Sequence, residues 1–198
     1  MKNRILSLGI ILGFCLILGS LCLILGSQFR IRQGTQECNA VLSQVNNLLS
    51  ERTQGTPEGY PNTEMPALDI HETDYIGLLE IPAFGIALPV SDDWTNKDLY
   101  CAPSRFCGSV YDHSLVIGGG DYTLQFAFCD KIDIGTLVVL TDLTGAEFPY
   151  CVSRVDRSEQ ANAQWLAHSD FDLTLFCRDT YSMEYIAVRC RYTAKNLK

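Results

Sequence analysis

The sequence predicts a mainly β fold, a closed barrel of about seven to eight strands preceded by a single N-terminal transmembrane helix. Three observations carry that expectation. The chain opens on a long uncharged apolar run, helical spacing is confined to the stretch just after it, and short β-branched and aromatic runs separated by turn residues fill the sequence from Tyr75 onward.

Ile5 to Ser27 contains no charge and is bracketed by Lys2 and Arg4 on one side and Arg30 and Arg32 on the other. A membrane-spanning helix needs about 20 apolar residues. A cleaved signal peptide has a shorter apolar region, roughly 7 to 15 residues, and a small-x-small cleavage site; this run is longer and ends Leu25-Gly26-Ser27-Gln28 without one. Phe14 and Leu21 precede the two cysteines of the run, where a lipoprotein signal would place a small residue. Residues 1–28 are therefore expected to form an uncleaved anchor. Basic residues on both flanks leave the orientation to the rest of the chain.

Between 29 and 52, Val41, Leu42, Val45, Leu48 and Leu49 fall at helical spacing and form one apolar stripe, which predicts a juxtamembrane helix packed on the following domain. It covers too few heptads to specify a coiled coil. Residues 53–73 shift to Gly, Pro, Thr, Asn and Glu, with Pro57, Pro61 and Pro66 spaced through them, and read as a linker.

The barrel domain is expected over 74–193, with a tail at 194–198. Its candidate strands are Tyr75–Pro82, Ile86–Val90, Ser114–Gly119, Thr136–Asp142, Glu147–Val155, Leu173–Cys177 and Tyr185–Tyr192. Asp142-Leu143-Thr144-Gly145 supplies a turn. Pro149 inside the next strand implies an edge or a bulge. Ser158 to Ser169 has the only helix-like composition in the second half.

In order and spacing these segments resemble the sortases, membrane-anchored cysteine transpeptidases of Gram-positive bacteria, and most closely the class B type. The resemblance runs from about Asp74 to Tyr192. YIGLLEIPAFGIALPV is similar to the family's opening strands, SLVIGGGDYTLQF to its V-I-A-G/A-H-N-Y segment, and IDIGTLVVLTDLTGAEFPYCV to the stretch that carries T-D-x-x-G. DLTLFCRDTYSMEYIAVRC resembles D-L-T-L-F-T-C followed by a loop, an arginine and V-R-C.

The resemblance implies a thiolate that attacks a sorting-signal carbonyl, a histidine that protonates the leaving amine, and an arginine that stabilises the oxyanion. In this sequence the histidine position falls on Gly120, and an ungapped match puts Cys177 at the family's threonine, Arg178 at the nucleophile and Tyr185 at the arginine. A guanidinium is permanently charged and is no nucleophile, and glycine has no proton to transfer. A one-residue gap would exchange Cys177 and Arg178, which makes Cys177 the alternative nucleophile. Without the gap, strand alternation turns its thiol to the opposite face.

The expectation is thus a degenerate sortase, retaining a binding role for sorting-signal peptides, cell-wall components or an active sortase, with its domain outside the membrane. Asp121, Tyr122 and Arg178 are the groove candidates. His71, His113 and His168 read as surface or loop residues, and Trp94 and Trp165 as core or rim aromatics. The competing expectation is an active transpeptidase built on Cys177.

A formal charge of -8 excludes a nucleic-acid partner, which calls for a basic stripe. Seven cysteines lie beyond the anchor without a CxxC pair, so neither a zinc ribbon nor a thioredoxin-type redox site is indicated, and no metal or cofactor is expected. They read mostly as small buried apolar residues. Cys151 with Cys190 is one candidate bridge that sequence alone does not assign.

Overall fold

The computed structural model describes residues 16–18, 20, 39–50, 64–92, 94, 102–121, 125–167 and 170–193. Among them no helix is long and apolar enough to cross a membrane; the anchor expected over 1–28 lies almost wholly outside the described residues, as do Tyr122, His168 and the tail. Helix α1 occupies 39–50. The strands follow: β1 (Leu68–Ile70), β2 (Thr73–Ile81), β3 (Ile86–Ser91), β4 (Ser104–Cys107), β5 (Leu115–Gly118), β6 (Leu137–Asp142), β7 (Glu147–Ser158), β8 (Leu173–Arg178) and β9 (Tyr185–Tyr192). A single helical turn, α2 (Ala163–Leu166), separates β7 from β8.

The sheet order is β1-β2-β3-β4-β5-β8-β9-β7-β6, and an added β2–β6 pairing closes eight of the strands into a barrel. Gly77 makes that closure physically feasible. A Cβ there would collide with the Thr141 carbonyl and come within 3.2 Å of the Asp142 Cα, so only glycine lets β2 lie against β6. Strand β1 occupies the rest of that edge, pairing Leu68–Ile70 with Thr73–Tyr75 through a tight turn in which His71 and Glu72 both have positive φ.

Alternation sorts the side chains of each strand. Leu173, Leu175 and Cys177 of β8 and Ile186, Val188 and Cys190 of β9 face the barrel interior with Ile76, Leu79, Phe126, Leu140 and Tyr150. A second cluster lies on the outside of the barrel, where Val116, Phe176 and Ala187 are covered by Leu166, Trp94 and Phe106. A third cluster seats α1, whose Val41 and Val45 pack with Leu42 and Leu49 against Ile70, Tyr75, Leu78 and Leu143. The apolar stripe read at 41–49 is the packed face of that helix.

Four expectations change. The segment 68–73, read as the end of a linker, is β1 and the start of β2. The helix-like stretch 158–169 yields one turn, because Asn162 caps it by accepting the Trp165 N–H at 2.8 Å and Ala167 already leaves helical geometry. Cys151 and Cys190 are both free and cannot bridge: Cys190 points into the core, while Cys151 lies on the other side of β7 from the inward Tyr150 and Val152. Pro149 lies at neither an edge nor a bulge: it pairs with Val139 of β6, its carbonyl accepts the Thr193 N–H at 2.9 Å just past the end of β9, and the bulge comes later, between Val152 and Arg154.

The β6–β7 hairpin is organised by Asp142, which is 0% exposed. Its carboxylate accepts from Thr144 N–H at 2.8 Å, Thr144 hydroxyl at 2.6 Å, Ala146 N–H at 3.0 Å and Tyr111 hydroxyl at 2.7 Å. The last of these ties the β4–β5 loop to β6. Asp142→Ala orphans these donors together, and chemical denaturation is expected to show a loss of about 3 kcal/mol, whereas Tyr111→Phe should cost about 1 kcal/mol.

Candidate functional site

The outer face formed by β5, β8 and β9 brings the sequence-predicted positions together. Strands β5 and β8 are parallel and in register from Leu115↔Leu173 to Gly118↔Phe176, and the Gly119 N–H donates to the Phe176 carbonyl at 3.0 Å. Carrying that register on by two residues sets Gly120 abreast of Arg178. Arg178 in turn lies directly opposite Tyr185 in the antiparallel β8–β9 pair. Gly120, distant in sequence, thus shares one end of one face with the hairpin pair Arg178 and Tyr185.

Arg178 is exposed. Its Nε donates to the Met183 carbonyl at 3.3 Å and its guanidinium stands 5.6 Å from the centre of the Tyr185 ring. Cys177 points the other way: 2% exposed, it belongs to the barrel interior, with its thiol 3.7 Å from the Phe126 carbonyl. Gly120 is held by its backbone, its N–H donating to Gln125 Oε1 at 3.0 Å and its carbonyl accepting from Phe126 N–H at 3.1 Å. Asp121 reaches across to the β8–β9 loop, accepting from the Thr180 N–H at 2.9 Å and from its hydroxyl.

No described histidine stands near these groups. His71 lies in the β1–β2 turn. His113 precedes β5, at the opposite end of that strand from Gly120, with its Nδ1 3.7 Å from Asp172. It borders a cavity of about 180 Å³ with Asp112, Ser114, Val116, Leu166, Phe171 and Thr174.

Between Arg178 and that cavity the face is filled by aromatics. Trp94 lies 5.3 Å from both Phe106, which it meets edge-on, and Phe176, to which it is tilted, and Phe106 meets Phe176 edge-on at 5.7 Å. Gly118 makes room for them: a Cβ there would overlap the Trp94 ring and lie 2.7 Å from the Phe176 ring. Gly119 is likewise a packing feature, since a Cβ there would lie 2.7 Å from the Phe126 ring.

One residue that the sequence flagged only as part of a motif proves central. Arg189 lies on the outward side of β9, yet is 0% exposed. Its guanidinium donates to Asp156 at 3.2 Å, to the Leu166 carbonyl at 2.6 Å, to the Thr174 hydroxyl at 3.1 Å and to the Trp165 carbonyl, and lies 4.9 Å from the Trp165 ring centre. Burial lowers its pKa and the Asp156 carboxylate opposes that shift. Arg189 therefore pins α2 over the outer face. Trp165, expected as a core or rim aromatic, is part of that cover. The signal missing from the sequence was the cover itself, since an outward arginine on a strand ordinarily reaches solvent.

Among the described residues no group of His, Cys, Asp and Glu is arranged to hold a metal ion.

No family model matches the sequence, and no curated protein does. The fold does match solved structures. A sortase C1 from Streptococcus agalactiae superimposes with a TM-score of 0.57 at 17% identity, over 78% of this chain and 90% of that one. Sortase C from Streptococcus pneumoniae gives 0.56 at 18%, over 80% and 91%. A Clostridium perfringens sortase C solved with the C-terminal cell wall sorting motif gives 0.53 at 23%, over 80% and 90%. The chain has the sortase fold. These neighbours are of type C, whereas the motifs suggested type B; at such identities the likeness is one of fold.

Two outcomes follow from this geometry. Gly118→Ala forces Trp94 off Phe176 and is expected to cost about 1–3 kcal/mol, with a red shift of the Trp94 emission measured in a Trp165→Phe background. The second concerns Asp179 in the β8–β9 loop, whose carboxyl is held below the usual range by the Ser182 hydroxyl, the Tyr181 N–H and Arg157. A depressed folded-state value means the order it gives the loop is present above the ordinary carboxylate range and is lost as pH falls through the depressed value. The Tyr181 amide, monitored by NMR through an acid titration, should lose its hydrogen-bonded shift only below the ordinary carboxylate range.

Proposed function

We propose that this chain, whose fold is that of the sortases, is a membrane-anchored, extracytoplasmic sortase-family protein that binds a peptide terminus or a cell-wall component without cutting it. The observation that carries the reading is the placement of Arg178 and Cys177. The outward side chain at the end of β8 is a guanidinium, and the neighbouring thiol is turned into the barrel.

Support for lost transpeptidase chemistry lies in the same three positions. Gly120, Arg178 and Tyr185 stand together, and none is a thiol, an imidazole or, at the Tyr185 position, a guanidinium. In acyl-transfer enzymes, loss of the nucleophile lowers the rate on the order of a millionfold. What Arg178 offers instead is charge-assisted hydrogen bonding to a carboxylate or phosphate, beside the Tyr185 ring. A peptide ligand fits the reading because one neighbour was solved with a sorting motif. The membrane assignment rests on the uncharged run Ile5–Ser27, and the extracytoplasmic side on the resemblance of the following domain to the sortases.

The test uses the full chain in detergent, a fluorescent sorting-signal peptide and soluble cell-wall fragments. Arg178→Ala is expected to weaken binding of one of these ligands about 10- to 100-fold, and intact-mass spectra after incubation with the peptide should show no acyl adduct. Unchanged binding removes Arg178 from the site. A thioester on Cys177 would replace this reading with that of an active transpeptidase, and co-purification with a working sortase, without binding of either ligand, with that of an accessory subunit.

A further inference from the structure

The cavity beside His113 lies at the other end of β5 from Gly120 and Arg178, and the proposed binding role does not use it. One row of paired residues forms its floor and backing: Val116, Thr174, Arg189 and Arg154 stand abreast on β5, β8, β9 and β7. The space, about 180 Å³, lies over the Val116 and Thr174 end of that row, with Leu166 and Ala167 above it and Phe171 as a further wall. Arg189 keeps it roofed, because its guanidinium holds the Leu166 carbonyl.

The two sides of this space differ in charge. Asp112 borders it on the β5 side, and Asp172 stands beside His113, 3.7 Å from Nδ1. On the β9 side Arg189 backs Thr174, and the Arg154 guanidinium lies 4.9 Å from the centre of the Phe171 ring. Each side also has a bonding position left over. Asp112 Oδ1 accepts from the Ser109 N–H at 3.1 Å and from the Ser114 hydroxyl, whereas Oδ2 has no partner among the described residues. Thr174 is 2% exposed; its hydroxyl accepts from Arg189 at 3.1 Å, and the hydroxyl proton has no acceptor among the described residues. A buried donor of this kind calls for an acceptor.

We propose that this cavity binds a small apolar α-amino acid, either free or as the amino-terminal residue of a peptide. The ammonium meets the Asp112 carboxylate, a carbonyl oxygen accepts the Thr174 proton, and the side chain packs on Val116, Leu166 and Phe171. An amine without a carbonyl would leave the Thr174 proton unmet, and a carboxylate without an ammonium would meet Asp112 with like charge. Size sets a further limit. A cavity of about 150 Å³ takes benzene, so 180 Å³ holds one residue about as large as valine and not two. The wall is built before a ligand arrives, since the Ser114 N–H donates to the Ser109 carbonyl and the Tyr111 N–H to the Ser109 hydroxyl, both at 3.2 Å.

The test is titration calorimetry of the full chain in detergent with four probes: L-valine, L-valinamide, isovalerate, which lacks the ammonium, and isobutylamine, which lacks the carboxylate. L-Valinamide keeps the ammonium and a carbonyl oxygen without the carboxylate charge, as a peptide amino terminus does. L-Valine, L-valinamide or both are expected to saturate with a dissociation constant on the order of 0.1–1 mM, about 10-fold or more tighter than isovalerate and isobutylamine. Tighter binding of L-valine makes the ligand a free amino acid; equal or tighter binding of L-valinamide makes it a peptide amino terminus. Asp112→Asn keeps an Oδ1 acceptor for the loop and should weaken binding about 10- to 100-fold. Ala167→Leu, at an exposed position of the wall, should abolish it by filling the space. Lack of saturation by both L-valine and L-valinamide, indifference to both substitutions, or isovalerate binding as tightly as L-valine overturns the proposal. If one variant fails to fold, the other variant and the four-probe comparison on the wild-type chain decide.

Discussion

The pairing of β2 with both β3 and β6 is the constraint on which the rest of this molecule depends. An open sheet in this order would leave β2 and β6 as edges and the interior faces of all eight strands without a partner. Closure buries that interior and obliges the outward faces to take up whatever function the domain has. It also fixes which strands are parallel. Strands β5 and β8, separated by two hairpin-connected strands and a helical turn, meet side by side because the ring must be completed, and their parallel register brings Gly120 level with Arg178.

Burial on the outer face has a different origin. Inside, apolar side chains meet one another around a common axis. Outside, they are covered by α2 and by Trp94, and α2 is too short to be stable by itself. Its cover depends on Arg189, whose guanidinium replaces solvent with two backbone carbonyls, a hydroxyl and the Asp156 carboxylate. A buried charge held this fully tends to specify geometry more than it adds stability. Removing it would strand the two carbonyls, whereas Asp156 would keep Arg154 at 2.8 Å.

Much of this was legible in the sequence, and the exceptions have physical causes. The seven runs from Tyr75 to Tyr192 all became strands because each alternates or buries both faces, and either pattern survives any sheet order. Strand β4 escaped notice because Ser104-Arg105-Phe106-Cys107 is short, polar at its start and bounded by Pro103 and Gly108. Strand β1 was hidden in a Pro- and Thr-rich stretch, since three residues are too few to show a period. At the candidate site, strand alternation alone was enough to oppose Cys177 to Arg178, whereas the aromatic filling over Gly118 depended on tertiary contacts between segments that no local pattern links.

The ring is not equally strong all round. Most neighbouring strands share four or more paired residues, but β3 and β4 meet at one pair, Ser91 and Ser104, joined by their hydroxyls at 2.6 Å and by the Ser91 N–H to the Pro103 carbonyl at 2.9 Å. Local opening follows the sparsest hydrogen bonding, so this seam is where the barrel parts first under thermal or mechanical load. Trp94 lies in the connection that spans the seam and packs on the outer face. A fluctuation there would lift the indole from Phe176 while the opposite wall stayed zipped, giving a small rigid ring one yielding side and a widened outer face without global unfolding.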